Sequence, residues 1–155
     1  MASLKAGMKA PDFSLPTGDE STLSLNDLRG KKVVLYFYPK DNTPGCTREA
    51  CSFQENRGRI QKQGAVVVGV SPDSPASHRK FTEAFDLSFP LISDSEKTLA
   101  RRYGVWKQKK FMGRTYMGIV RTTFIIDEKG TIVRIFPNVK VDGHTEEVLA
   151  ALKEI

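Results

Sequence analysis

The sequence predicts an α/β fold, and three observations carry that prediction. Two uninterrupted apolar runs, Val33–Tyr38 and Ala65–Val70, have the length and β-branched content of strands buried on both faces. The segment between them reads as a helix through about Gln63, so the two strands should run parallel. Further on, Ile119–Ile126 and Thr131–Phe136 flank Glu128-Lys129-Gly130, a turn that returns the chain antiparallel.

Taken in order, Asp12-Phe13-Ser14-Leu15 alternates like a short edge strand. Pro16 to Asp19 is a turn, Thr22-Leu23-Ser24-Leu25 the hairpin partner, and Asn26 to Gly30 a helical turn. After the parallel unit, Ser74 before Pro75 fits an N-cap followed by proline at the first helical position. The helix it opens runs to about Phe85, and His78, Phe81 and Phe85 share one face by spacing. That makes His78 a packing or surface residue rather than a base. Phe89-Pro90-Leu91-Ile92 reads as a short strand, and Asp94 or Ser95 can cap a helix that carries Leu99, Ala100 and Tyr103 and stops at Gly104. Val105 to Gly118 shows no periodicity and is expected to be an irregular loop over one side of the sheet. Thr145 to Ile155 is a final helix that packs through Val148, Leu149 and Leu152.

The 155 residues suit one domain, 1–155, with no linker, repeat or low-complexity segment. No apolar run approaches a membrane span, and the N-terminus lacks a signal-peptide core. Neither a membrane nor nucleic acid is expected as a partner. The net charge of +6 is read as a solvated surface. One basic cluster, Lys107, Lys109, Lys110 and Arg114, interleaves with Trp106, Phe111 and Tyr116, and could dock an acidic reductase. Two histidines, His78 and His144, are too few and too scattered for a histidine-based metal site, so no metal is expected. Two cysteines do not build a secreted disulfide framework. They fit a reducing compartment, the cytoplasm.

Both cysteines lie in Pro39-Lys40-Asp41-Asn42-Thr43-Pro44-Gly45-Cys46-Thr47-Arg48-Glu49-Ala50-Cys51, directly after the first buried strand. Pro44 and Gly45 punctuate the turn and place Cys46 in the first turn of the helix, where free N–H groups and the helix dipole favour an anion. A cysteine there is biased toward the reactive thiolate. The neighbours of Cys46 are not those of a core cysteine. In a regular helix, residues five apart lie about 8.7 Å from each other, beyond the roughly 7 Å that a disulfide can span. Cys46 and Cys51 are therefore separate thiols while the helix is intact, and bridge only if its first turns unwind. A thiolate oxidised by peroxide becomes a sulfenic acid, which a nearby thiol converts to a disulfide. Thr43 offers a hydroxyl to a bound peroxide oxygen, and Pro39 and Pro44 stiffen the loop. Arg121, beside Val120 and Phe124 in an apolar strand, needs a partner or water.

The pattern Pro39-x-x-x-Thr43-x-x-Cys46 resembles the active-site signature of the peroxiredoxins. The longer string from Phe37 to Cys51 is similar to the Q type, also called bacterioferritin comigratory protein, as are Ala10-Pro11-Asp12-Phe13, Gly69-Val70-Ser71-x-Asp73 and Arg121-Thr122-Thr123-Phe124-Ile125-Ile126-Asp127. The resemblance implies a thioredoxin-like fold, with a mixed central sheet flanked by helices and an N-terminal extension. It implies a thiol peroxidase without a cofactor, acting on hydroperoxides and recycled by thioredoxin or a similar dithiol, and a monomer. Cys46 becomes the peroxidatic cysteine and Cys51 the resolving one. Thr43 and Arg121 join them in a pocket with Pro39 and Gly45, and Glu49 is a candidate to hold the arginine. A guanidinium near Cys46 would favour the anion and stabilise charge moving onto oxygen. Two rivals are weighed. A general thiol–disulfide oxidoreductase would carry C-x-x-C, which this chain lacks. A noncatalytic redox sensor or nucleic-acid-binding module has only the net charge behind it.

Overall fold

The computed structural model describes residues 4–155. Its frame is a five-stranded mixed sheet. Strand β1 (Ser14–Pro16) pairs antiparallel with β2 (Thr22–Ser24) in a separate hairpin ahead of that sheet. A 3-10 turn, Leu25–Leu28, follows, closed by a capping box between Ser24 and Asp27. The central strand β3 (Lys32–Phe37) pairs parallel with β4 (Ala65–Ser71), and β4 pairs parallel with β5 (Leu91–Ser93). On its other side β3 pairs antiparallel with β8 (Thr122–Ile126), which pairs antiparallel with β9 (Ile132–Phe136). The order across the sheet is β5-β4-β3-β8-β9.

Side chains alternate across a strand, and β3 uses both faces. Val34, Tyr36 and Tyr38 enter one cluster with Phe53, Ile60, Phe81, Val148 and Leu152. Those partners come from helices α1 (Pro44–Glu55), α2 (Arg57–Lys62), α3 (Pro75–Phe85) and α5 (His144–Lys153). Val33, Leu35 and Phe37 enter the opposite cluster with Val68, Ile92, Phe124, Ile126 and Leu99, the last from α4 (Thr98–Arg102). This two-sided burial is why both strand runs read as continuous hydrophobic segments. Phe13 and Leu25 of the N-terminal segment close the second cluster.

Three expectations are corrected. The helix expected through Gln63 breaks at Asn56, whose φ of −101° and ψ of 11° leave the helical region. Asn56 ends α1 and begins α2, and its side chain donates back to the Ser52 carbonyl at 2.8 Å. Asn binds local backbone groups more readily than it continues a helix. The segment expected as a loop forms a β-hairpin, β6 (Trp106–Phe111) with β7 (Arg114–Ile119), turned by Met112 and Gly113 at φ 52° and 79°. Its polar residues stand on both faces, so no apolar alternation betrays it. Finally, the single strand expected over Ile119–Ile126 is two, with Val120 and Arg121 outside both.

Other expectations hold. The hydroxyl of Ser74 accepts from the Ser77 N–H at 3.1 Å with Pro75 opening α3. The helix expected after Asp94 has Lys97, not Asp94 or Ser95, as its N-cap residue, but the Asp94 carboxylate still accepts the first-turn N–H groups of Leu99 and Ala100 at 3.1 and 2.8 Å.

Candidate active site

The end of β3 delivers the chain into a loop that must turn into α1. Asp41 anchors that loop from inside. Its carboxylate accepts from the Tyr38 hydroxyl at 2.6 Å and the Ser77 hydroxyl at 2.9 Å, and lies 2.7 Å from His78 Nδ1. His78 Nε2 donates to the Ile92 carbonyl at 2.9 Å. His78 is fully buried and belongs to this polar network, which narrows the expectation of a packing or surface residue to the first. The backbone N–H of Asp41 donates to Asp73 at 2.7 Å. Asp41, Asp73 and His78 are close enough to share a cation, with ligand atoms within 4.8 Å of one another. The Asp41 carboxylate, Asp73 Oδ2 and both His78 nitrogens already hold hydrogen bonds to one another, to Tyr38, Ser71 and Ser77, and to the backbone.

Helix α1 starts at Pro44, with Thr43 as the N-cap residue in an extended conformation. The Thr43 carbonyl accepts the Thr47 N–H at 2.8 Å. Its hydroxyl donates to the Lys40 carbonyl at 3.0 Å rather than capping the helix, which fixes the rotor and leaves the oxygen's lone pairs as acceptors. Cys46 is the third helical residue and is 2% exposed. Its sulfur therefore sits in the turn that carries the unpaired N–H groups.

Arg121 reaches this turn from between β7 and β8. Its Nη2 donates to Cys46 Sγ at 3.4 Å and its Nη1 to Glu49 Oε1 at 2.6 Å. The backbone of Arg121 is pinned in turn, its carbonyl accepting from Val139 N–H at 2.8 Å. The break in the strand pattern is what frees this side chain to swing over α1. Gly45 explains the approach: a Cβ there would stand 3.3 Å from Arg121 Nη2. Pro39 is half-buried in the loop ahead of the site.

Glu49 is 2% exposed, and its second oxygen, Oε2, is one of two buried polar side-chain atoms without a hydrogen-bond partner among the described residues. The other is the Tyr36 hydroxyl. Burial pushes the Glu49 carboxyl up to about 7, and the attraction of Arg121 only partly opposes it. The Tyr36 phenol lies well above its ordinary value, by burial first and then by the charges of Glu49 and Cys46.

Cys51 sits in the same unbroken helix, half-buried, and both cysteines are free thiols. Burial, with Glu55 beside it, raises the Cys51 thiol above its usual range. The structure thus gathers Cys46, Arg121 and Glu49 into direct contact, with Gly45 against the guanidinium, while Cys51 stands apart along α1. Sequence reasoning placed Lys109 only in a basic surface cluster, not beside the site. Its ammonium donates to the Ile119 carbonyl at 2.9 Å, and burial lowers its pKa, with Arg121 repelling it and Cys46 drawing it back. Only knowledge of the hairpin could have brought Lys109 toward the site.

A sheet that presents a buried cysteine at a helix N-terminus, under an arginine held by a glutamate, defines a thiol-based peroxidase of the thioredoxin-like class. The comparisons agree. The AhpC/TSA family model matches residues 6–135. The protein Peroxiredoxin Bcp of Bacillus subtilis is 46% identical over 99% of this chain and 98% of its own. A crystal structure of a cysteine-to-serine mutant of PrxQ from Xylella fastidiosa superposes with a TM-score of 0.93 at 36% identity, covering 99% of this chain and 98% of that one. The bacterioferritin comigratory protein of Xanthomonas campestris gives 0.90 at 38% identity, covering 97% of this chain and 98% of that one. The chain belongs to the AhpC/TSA family, as a Q-type peroxiredoxin.

Proposed function

We propose that Cys46 is the sulfur that peroxide oxidises and Cys51 the sulfur that resolves it, in a peroxidase acting on hydrogen peroxide and organic hydroperoxides. The observation behind this is the Arg121 guanidinium, shared between Cys46 Sγ and Glu49 at the first turn of α1. The Xanthomonas campestris bacterioferritin comigratory protein has alkyl peroxide reduction activity, which supports an organic peroxide as one substrate here.

The Cys46 thiolate attacks the terminal oxygen of the hydroperoxide in line, and the O–O bond breaks. The leaving oxygen takes a proton and departs as alcohol, or as water from hydrogen peroxide, and Cys46 becomes a sulfenic acid. Arg121, the Thr43 oxygen and the N–H groups of the first turn orient the peroxide and stabilise charge on the leaving oxygen. Glu49 keeps Arg121 over the sulfur; it positions the arginine and does not touch substrate. Gly45 and Pro39 shape the wall.

The sulfenic acid cannot meet Cys51 in the intact helix, since residues five apart stand about 8.7 Å from each other. The first turns of α1 unwind, the Cys51 sulfur attacks, the S–O bond breaks and water leaves. Unwinding also removes Cys51 from the burial and the Glu55 charge that hold its proton. A dithiol of the thioredoxin type restores both thiols by exchange. Both sulfurs lie on one helix, so the cycle runs in a monomer. Two free thiols suit the reducing cytoplasm.

Stopped-flow peroxide consumption tests the assignment. Cys46→Ser should abolish it. Cys51→Ser should give one fast turnover and then stall with thioredoxin as the sole reductant. A Cys51→Ser enzyme that cycles normally would remove Cys51 from the resolving role.

A further inference from the structure

Apart from the half-buried Lys109, the β6–β7 hairpin contributes no side chain to the surroundings of Cys46. It joins no other sheet, and all six of its register pairs are internal. Its root is bedded in the core through Trp106 and the buried Ile119. Beyond the root it stands free. Phe111 is 66% exposed, Met112 87% and Met117 50%. Lys107, Lys110 and Arg114 are exposed around the same ribbon, with Arg114 directly opposite Phe111.

Two features argue against ordinary surface decoration. Lysines on a free ribbon keep other chains from pairing with its edges, but that does not account for Phe111 and Met112. Met112 also takes φ 52° in a two-residue turn with Gly113. Asn, Asp or Gly is the inexpensive residue at that position. The chain places a long apolar side chain there instead, at the most exposed point of the hairpin.

We propose that this hairpin is a membrane-surface contact, with Phe111 and Met112 entering the interface of an anionic lipid bilayer and Lys107, Lys110 and Arg114 meeting the headgroups. An apolar tip above a basic collar is the arrangement that binds such surfaces, by buried apolar area plus attraction to anionic lipid. The net charge of +6 favours the same encounter. This departs from the expectation of no membrane partner, which rested on the lack of a spanning segment; a contact that lies on the surface needs none. An acidic protein fits less well. Phe111 sits at the last register pair and Met112 beyond it, so a strand added to the ribbon would leave Met112 unpaired. The hairpin's root lies two residues before Arg121, so the contact would hold the active site about one hairpin length, roughly 17 Å, from the lipid surface.

Sedimentation of the reduced full chain with vesicles tests this without using peroxidase chemistry, so it stands or falls apart from the assignment of the cysteines. The protein should pellet with phosphatidylcholine–phosphatidylglycerol vesicles at low salt, be released by high salt, and bind pure phosphatidylcholine about tenfold less. Met112→Asn, which suits the turn better, should weaken pelleting about tenfold when combined with Phe111→Ser. Consumption of hydrogen peroxide in solution by that variant should be unchanged, which shows that it is folded. Failure to pellet with anionic vesicles, equal binding to neutral ones, or binding indifferent to the two substitutions would overturn the proposal. So would binding to an acidic polypeptide alone.

Discussion

At the scale of single residues, the account turns on the contact chain Cys46–Arg121–Glu49. Arg121→Ala should slow Cys46 oxidation on the order of a hundredfold, the usual scale for removing one donor to a developing anion. Its far-UV spectrum should be unchanged, and an unaffected rate constant in stopped flow would take Arg121 out of the site. Glu49 adds a pH signature. Its folded carboxyl titrates near 7 instead of the usual 4.5, because burial outweighs the arginine. The folded protein therefore holds that proton more tightly than the unfolded chain. Stability falls as pH rises from about 4.5 to about 7, and the cost is fully present above that. Urea titrations should show this slope in the parent and lose it in Glu49→Gln. Gly45→Ala should gain helix propensity, yet slow the reaction by pressing on the guanidinium. The cysteines, Thr43 and Gly45 were legible in the sequence because turn chemistry places them. The partner of Arg121 was legible only as a candidate, since nothing local ties position 121 to position 49. Lys109 was legible only as one of a basic cluster, for the same reason.

At the scale of elements, α1 must do two things. It must be intact to hold Cys46 in its first turn, and open to let Cys51 close on it. Its two halves are anchored unequally. The far half is locked by the fully buried Phe53, its ring tilted against Tyr36 with centroids 4.9 Å apart, by the Ser52–Thr145 hydroxyl pair at 2.6 Å, and by Gln54 accepting from Ser88. Of apolar side chains the near half buries only the small ones of Cys46 and Ala50; it holds otherwise through the Arg121 contacts and an exposed Arg48–Asp142 pair, and exposed pairs contribute little. Hydrogen exchange on the oxidised protein should therefore show the amides of residues 47–51 losing protection while that of Asn56, bonded to the Ser52 carbonyl beyond the unwound turns, keeps it. Uniform protection along α1 after oxidation would contradict local unwinding. The strands were legible wherever burial was one- or two-sided and continuous. The break at Asn56 and the β6–β7 ribbon were not, because an asparagine mid-helix and a ribbon wet on both faces leave no hydrophobic period to follow.

At the scale of the whole molecule, the sheet sets the site by holding both of its approaches. β3 delivers the loop that carries Thr43 into α1, β8 follows directly from Arg121, and the two strands pair antiparallel. The Asp41–His78–Tyr38 network fastens that loop to α3 and β5. Asp41→Asn should cost on the order of 3 kcal/mol by breaking a buried hydrogen-bonded network, and should slow peroxide reduction by loosening the loop; thermal melts and rate constants read on one sample check both. The most direct measurement is peptide mapping by mass spectrometry, without reduction, after one equivalent of an alkyl hydroperoxide. The account predicts a Cys46–Cys51 crosslink within a single chain, and in Cys51→Ser a sulfenic acid confined to Cys46. Both thiols surviving the oxidant, or a crosslink formed only between chains, would contradict it.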